Sequence, residues 1–316
     1  MRMRTKLIAM LGVGVMLTTS ACAGAKSGAG AGDSKTVDFA INAWTGYEAD
    51  EAVLKYLLEN KLDYKVNEKN LKEEVAWQGF EDKSVDVVIE NWGHDDLKKK
   101  YIDDKKVAKV AGDTGNVGKI GWYIPTWMVK KYPGIDNWKN LNKYAKDLKT
   151  SESGDKGQLL FGDESYVSNE KALIKNLHLD YKVVVGGSEN ALVEQAETSE
   201  KEKKPVLFYF WDPHWLFSKM DLTRVKLPKY SDDTKACPTA KDKVKCDYPE
   251  MNLDKVVSSD FAKNGGDAYK LIKNFKWTNE DQNEVSYNIS QKHMDPEDAA
   301  KKWLDANESK WKAWMP

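Results

Sequence analysis

The chain of 316 residues is 41% hydrophobic and 31% charged, a composition for one or two folded domains with a buried core and against a disordered tail. Lys and Arg total 49 against 50 Asp and Glu, a formal charge of -1, so it lacks the basic excess that a nucleic-acid partner requires. Aromatic content is skewed, with 12 Trp and 14 Tyr against 8 Phe, which leaves open a Trp-rich core, a sugar-stacking surface or a box of ring faces for a cation.

Residues 1–21 have the three-part form of an export signal: the basic MRMRTK, an apolar run from Leu7 to Leu17, and small residues up to Cys22. That run is too short for a spanning helix, which needs ~20 apolar residues. The stretch TSAC looks like a bacterial lipobox, with Thr19 where that pattern usually has Leu, and so predicts lipid on Cys22. Residues 22–35 then read as a small-residue, flexible tether that holds the module to the extracytoplasmic face of the cell membrane. Loss of the signal removes Arg2, Arg4 and Lys6, lowers the formal charge from -1 to -4, and leaves Arg224 as the one arginine.

From there strand and helix patterns alternate. The period-two stretch 36–44 predicts a strand, 47–60 a helix and 62–66 the next strand, together a βαβ unit. Strands are expected at 85–92, 119–125, 157–163, 182–187 and 205–211, and helical patterns at 127–132, 138–148, 170–177 and 189–197, the last capped by Ser188. Polar loop residues Cys237 and Cys246 predict a local disulfide, because the four histidines (His94, His178, His214, His293) give a two-ligand metal site no support. Further on, Thr278 with Asp281 reads as a helix start, and Asp295-Pro296 opens a last helix expected to pack Trp303, Trp311 and Trp314 as one stripe. GDTGNVGK (112–119) fails as a phosphate loop in both spacing and its following Ile120. The class is α/β, and no cofactor or metal is implied.

Several aromatics fall where strands end, the position at which open α/β sheets bind ligands: Trp44, Trp92, Trp122, Trp211 and Trp215, with Tyr166 before a helix. The stretches VDVVIENWGHDD (85–96), FGDESYVSNEKAL (161–173) and KKPVLFYFWDPHWLF (203–217) resemble, in order and spacing, the substrate-binding proteins of glycine betaine and proline betaine ABC importers. The resemblance runs roughly from 36 to 310, with KPVLFYFWDPHW its most specific part.

That resemblance implies a two-lobe periplasmic-binding-protein-like fold of type II with the ligand cleft between lobes, lobe I as 36–120 with 213–316 and lobe II as 121–212. It implies a monomer that binds glycine betaine or a related quaternary amine such as proline betaine, carnitine or choline. It also implies delivery to an ABC permease and, through it, an ATPase, without chemistry. Carried over residue by residue, it points to Trp92, Tyr166 and Trp211 as the aromatic box, Tyr166 standing where the family often has Trp. The backbone amides of Val167 and Ser168 would cap a ligand carboxylate at the helix starting near Asn169. His94 and Asp96 follow the first Trp where the family often has a polar side chain, and Trp44, Tyr47 and Trp122 are further lining candidates. Glu90, Glu164 and Asp212 would add negative potential and suit a cation without a carboxylate. The competing classes are a lipoprotein for another small solute and a secreted glycan-active enzyme using Asp95, Asp96 or Glu90. The second lacks any recognisable nucleophile setting.

Overall fold

The computed structural model describes residues 35–316; the expected signal, Cys22 and nearly all of the tether lie outside the described residues. Nine strands form one sheet: β1 Thr36–Ile41, β2 Lys65–Asn70, β3 Val87–Asn91, β4 Ala108–Pro125, β5 Gly157–Phe161, β6 Tyr181–Val185, β7 Phe208–Asp212, β8 Leu222–Arg224 and β9 Glu250–Ser258. Their order is β2-β1-β3-β9-β4-β7-β5-β6, with β8 also on β4. The pairs β1/β2, β1/β3, β5/β6 and β5/β7 are parallel, as βαβ crossovers require, whereas β4 runs antiparallel to β7, β8 and β9.

Each half has its own reason to fold. β3 is buried along its whole length, and the helix Thr45–Lys61 covers the sheet with Ala49, Ala52, Val53, Leu57 and Leu58 inward, the i, i+3, i+4 spacing of an apolar stripe. The caps form as their side chains allow. Ser188 Oγ accepts from the Ala191 amide to start the helix Glu189–Glu202, and Thr278 with Asp281 forms a reciprocal capping box for Asn279–Ser290. Asp295 accepts from the Glu297 amide ahead of Pro296.

Four expectations shift. The second strand begins at Lys65, not Leu62, because the chain first turns after the helix. The strand expected at 119–125 is the end of the 18-residue β4, whose earlier part absorbs the glycine-rich stretch 112–119 through two irregularities in register with β9. The helix expected over 138–148 is only Trp138–Leu141 with one tighter turn behind it. The last helix breaks at Asn307 into Pro296–Ala306 and Glu308–Lys312. The Trp303 and Trp314 rings still stack, with centroids 5.8 Å apart and planes 9° off parallel, while Trp311 is only half-buried.

The segment between β7 and β9 is bonded in several places to the second half. β8 pairs with Tyr123–Pro125, and Arg224 grips Asp247 with two hydrogen bonds of 2.7 and 2.8 Å. Asn176 donates to the Val244 carbonyl at 2.8 Å, and the Tyr248 hydroxyl accepts from the Asn169 amide at 2.8 Å. These bonds tie residues 222–248 to β4, β5 and their neighbours in the sheet. Cys237 and Cys246 are disulfide-bonded within that segment.

Candidate functional site

The carboxyl ends of β1, β3, β5 and β7 bring aromatics to a small cavity lined by Trp44, Glu73, Trp92, Ile120, Tyr166, Val167, Tyr209 and Trp211. Trp44 follows β1, Trp92 follows β3, Tyr166 and Val167 lie in the loop after β5, and Tyr209 and Trp211 stand two apart on β7. Alternation on that strand puts Tyr209 and Trp211 on the cavity face, with Ile120 of β4 directly opposite Trp211.

The rings meet mostly edge to face. Tyr166 lies 5.4 Å from Trp211 at 78° and 6.0 Å from Trp44 at 86°, and it stacks loosely on Tyr209 at 6.4 Å. Two glycines make room for them. A Cβ on Gly162 would meet the Tyr166 ring at 2.6 Å, and one on Gly118 would meet the Trp92 ring at 2.7 Å. Neither contact is tolerable, so Gly118 within β4 and Gly162 just after β5 leave room for the two rings.

Buried acids hold the rings in place. Glu90 accepts from both indole N–H groups, Trp44 at 2.8 Å and Trp92 at 2.6 Å, and from the Gln282 amide. Its charge is thereby committed to orienting two faces of the box. Tyr166 donates its hydroxyl to the Ala43 carbonyl at 3.0 Å, and burial pushes its pKa well above the usual phenol value, keeping it neutral. Glu73, the first residue of the helix Glu73–Gln78, takes His94 Nε2 on Oε1 at 2.8 Å; its Oε2 is buried without a hydrogen-bond partner. Burial raises the Glu73 carboxyl, with His94 opposing. Although burial lowers His94, the Glu73 hydrogen bond and charge outweigh it and raise that imidazole.

The expected residues divide by placement. Trp92, Tyr166, Trp211, Val167 and Trp44 line the cavity together, whereas Tyr47, Trp122, Ser168 and His94 do not. Tyr47 is fully buried and its hydroxyl accepts from the Ile89 amide at 2.9 Å, which makes it part of the core under Trp44. Trp122 opposes Tyr209 across the strands but is fully buried, its indole directed to Glu170 at 3.4 Å. Ser168 spends its hydroxyl on Glu170 at 2.7 Å, and His94 stands behind Glu73. Asp96 and Glu164 are exposed and Asp212 is half-buried, none of them on the cavity. Tyr209, Ile120 and Glu73 were missed. Period two from Trp211 would have found Tyr209, while Glu73 looks like any acidic helix start.

A family model of the substrate binding domain of ABC-type glycine betaine transport systems matches residues 35–306. Over 144 residues, 45% of this chain and 42% of the relative, the sequence is 32% identical to a glycine betaine/carnitine transport binding protein of Listeria monocytogenes. Over 195 residues, 59% of this chain and 61% of the relative, it is 29% identical to a trimethylamine N-oxide-binding protein of Pelagibacter ubique. The matched stretches thus span about half the length of these curated relatives. In fold, the chain superposes on an ABC-transporter choline binding protein in complex with choline, with a TM-score of 0.72 at 21% identity over 89% of this chain and 91% of that one. It superposes also on lactococcal OpuAC in its closed conformation with glycine betaine, with a TM-score of 0.67 at 24% identity over 89% and 99%. The fold is the two-lobe periplasmic-binding-protein α/β fold with a ligand cleft. With the family model covering nearly all of the described residues, this chain belongs to the substrate-binding domains of ABC-type glycine betaine transport systems.

Proposed function

We propose that the protein is the solute-binding component of an ABC importer, taking a quaternary amine of the glycine betaine and choline class into its aromatic box and handing it to a permease served by an ATPase. The observation that carries this reading is the convergence of five aromatic rings, Trp44, Trp92, Tyr166, Tyr209 and Trp211, on one cavity that no Lys or Arg lines. A methylated ammonium donates no hydrogen bonds, so ring faces are its natural partners. Each desolvated face contributes ~2 kcal/mol, and three productive faces offset an association cost of ~4 kcal/mol or more. Micromolar binding, ~-8.2 kcal/mol, therefore also needs a polar contact at the other end of the ligand.

The names of the relatives agree with this class, since they bind glycine betaine, carnitine, trimethylamine N-oxide or choline. The residues weighed for an enzyme lie away from the ring cavity or are already engaged. Asp95 and Asp96 are exposed at a helix start, and Glu90 is spent on the two indoles. The export signal, Cys22 and the tether complete the proposal as an extracytoplasmic lipoprotein, checked by loss of lipid labelling in Cys22→Ala. Calorimetry of the purified chain with glycine betaine, proline betaine, carnitine and choline should give micromolar or tighter binding for at least one, abolished in folded Trp211→Ala and Trp92→Ala. Absence of heat with all four contradicts the proposal.

A further inference from the structure

We propose that Glu73 selects, within this class, a cationic amine whose far end donates a hydrogen bond, an alkanolamine such as choline, over ligands that end in an acceptor. The inference rests on the quaternary-amine reading and deepens it.

Three observations converge on Glu73. Its side chain lines the box and only 5% of the residue is exposed, yet Oε2 has no hydrogen-bond partner, whereas Oε1 is held by His94 at 2.8 Å. A carboxylate oxygen taken out of water and left unpaired is costly, and a donor brought in by the ligand removes that cost. Fixing one oxygen through His94 orients the other. The helix Glu73–Gln78 and the turn at His94, whose φ of +28 is unusual for a side-chain-bearing residue, thus deliver a preset acceptor to the box.

The other buried acids around the box are already occupied. Glu90 serves Trp44, Trp92 and Gln282; Glu170 serves Tyr248, Trp122 and Ser168. Glu189 takes the Thr45 amide at 2.7 Å, the Thr45 hydroxyl at 2.9 Å and His214 at 2.7 Å. The donors that would welcome a ligand carboxylate or N-oxide are depleted by the same bonds. The Trp44 and Trp92 indoles, the Tyr166 and Ser168 hydroxyls and the Thr45 amide at the start of the helix Thr45–Lys61 all point to protein acceptors. The Trp211 indole, the Tyr209 hydroxyl and the Val167 and Ser168 amides remain, and among them stands Glu73, whose lone pairs repel an acceptor-ended ligand and accept from a hydroxyl.

Calorimetry on the purified chain separates the alternatives with four probes: choline, choline methyl ether, glycine betaine and trimethylamine N-oxide. Choline should bind at least ~10-fold tighter than each of the others, the scale of one hydrogen bond to a charged group. In Glu73→Gln, choline should lose ~10-fold or more while the methyl ether loses little, so that the gap between them closes. Equal binding of choline and its methyl ether by the wild type overturns the inference, as does tighter binding of glycine betaine or trimethylamine N-oxide. A uniform loss for all probes in Glu73→Gln also overturns it, since that marks a merely structural side chain. Should that variant not fold, the methyl ether comparison on the wild type decides alone. Failure of every probe on the wild type instead overturns the quaternary-amine reading.

Discussion

At the scale of single residues, acids that look alike in the sequence do different work once buried. Glu90 holds two rings, Glu73 offers a free oxygen, and Glu51 is simply buried in the helix Thr45–Lys61, where desolvation pushes its carboxyl up to about 8. A carboxyl raised in the folded state binds a proton that the unfolded chain has released. Its stabilising contribution is therefore complete below about pH 4.5 and lost as pH rises toward about 8. Asp50 beside it is raised for the same reason, burial, and adds to the slope. Urea unfolding should show the protein losing a few kcal/mol between pH 5 and 8.5, at roughly 1.4 kcal/mol per tenfold change in the proton equilibrium. Glu51→Gln should flatten that loss, and an unchanged slope in the variant contradicts the assignment.

Such buried acids were illegible beforehand, because Asp50, Glu51 and Glu73 sit in charged stretches that read as solvated helix faces. The meeting of Trp92, Tyr166 and Trp211 on one cavity was legible for the opposite reason. Trp92 and Trp211 stand at strand ends and Tyr166 before a helix, where open α/β sheets form their clefts. Trp122 and Tyr47 satisfy the same local pattern, yet face a neighbour that only the folded chain supplies: Glu170 for one, the Ile89 amide for the other.

At the scale of elements, strand alternation and caps carried most of the fold, whereas ends and breaks depended on partners distant in sequence. Ser188 and Thr278 cap as their spacing predicts because a cap is a local bond. The split at Asn307 and the course of the chain between β8 and β9 depend on packing, through Trp303 stacked on Trp314 and Arg224 joined to Asp247. The loop after β5 shows how an element aims a ligand contact. Gly162 permits the Tyr166 ring to lie against the strand end, where an added Cβ would intrude to 2.6 Å. Gly162→Ala should displace that ring and weaken amine binding by ~10-fold or more, one good cation–π face being worth up to ~2 kcal/mol. Unaltered affinity in the folded variant would show that Tyr166 does not contribute a face.

At the scale of the whole molecule, the two halves share one sheet through β4 and meet across the box. Glu189, at the start of the helix Glu189–Glu202, reaches the Thr45 amide and hydroxyl at the start of Thr45–Lys61 with His214 as a third partner. This bond crosses from the β5-β6 half to the β1-β2 half, so it favours the closed arrangement. Glu189→Ala should raise the radius of gyration of the ligand-free protein in small-angle scattering, and ligand should restore it; identical profiles without ligand would remove the crossing bond from the account.

The central claim is that the rings recognise charge and not merely apolar bulk. Calorimetry comparing choline with 3,3-dimethyl-1-butanol, which has the same shape and hydroxyl but carbon in place of nitrogen, tests it most directly. Two or more faces at ~2 kcal/mol each predict that the neutral analogue binds at least ~100-fold more weakly. Equal affinity for the two would contradict a cation box.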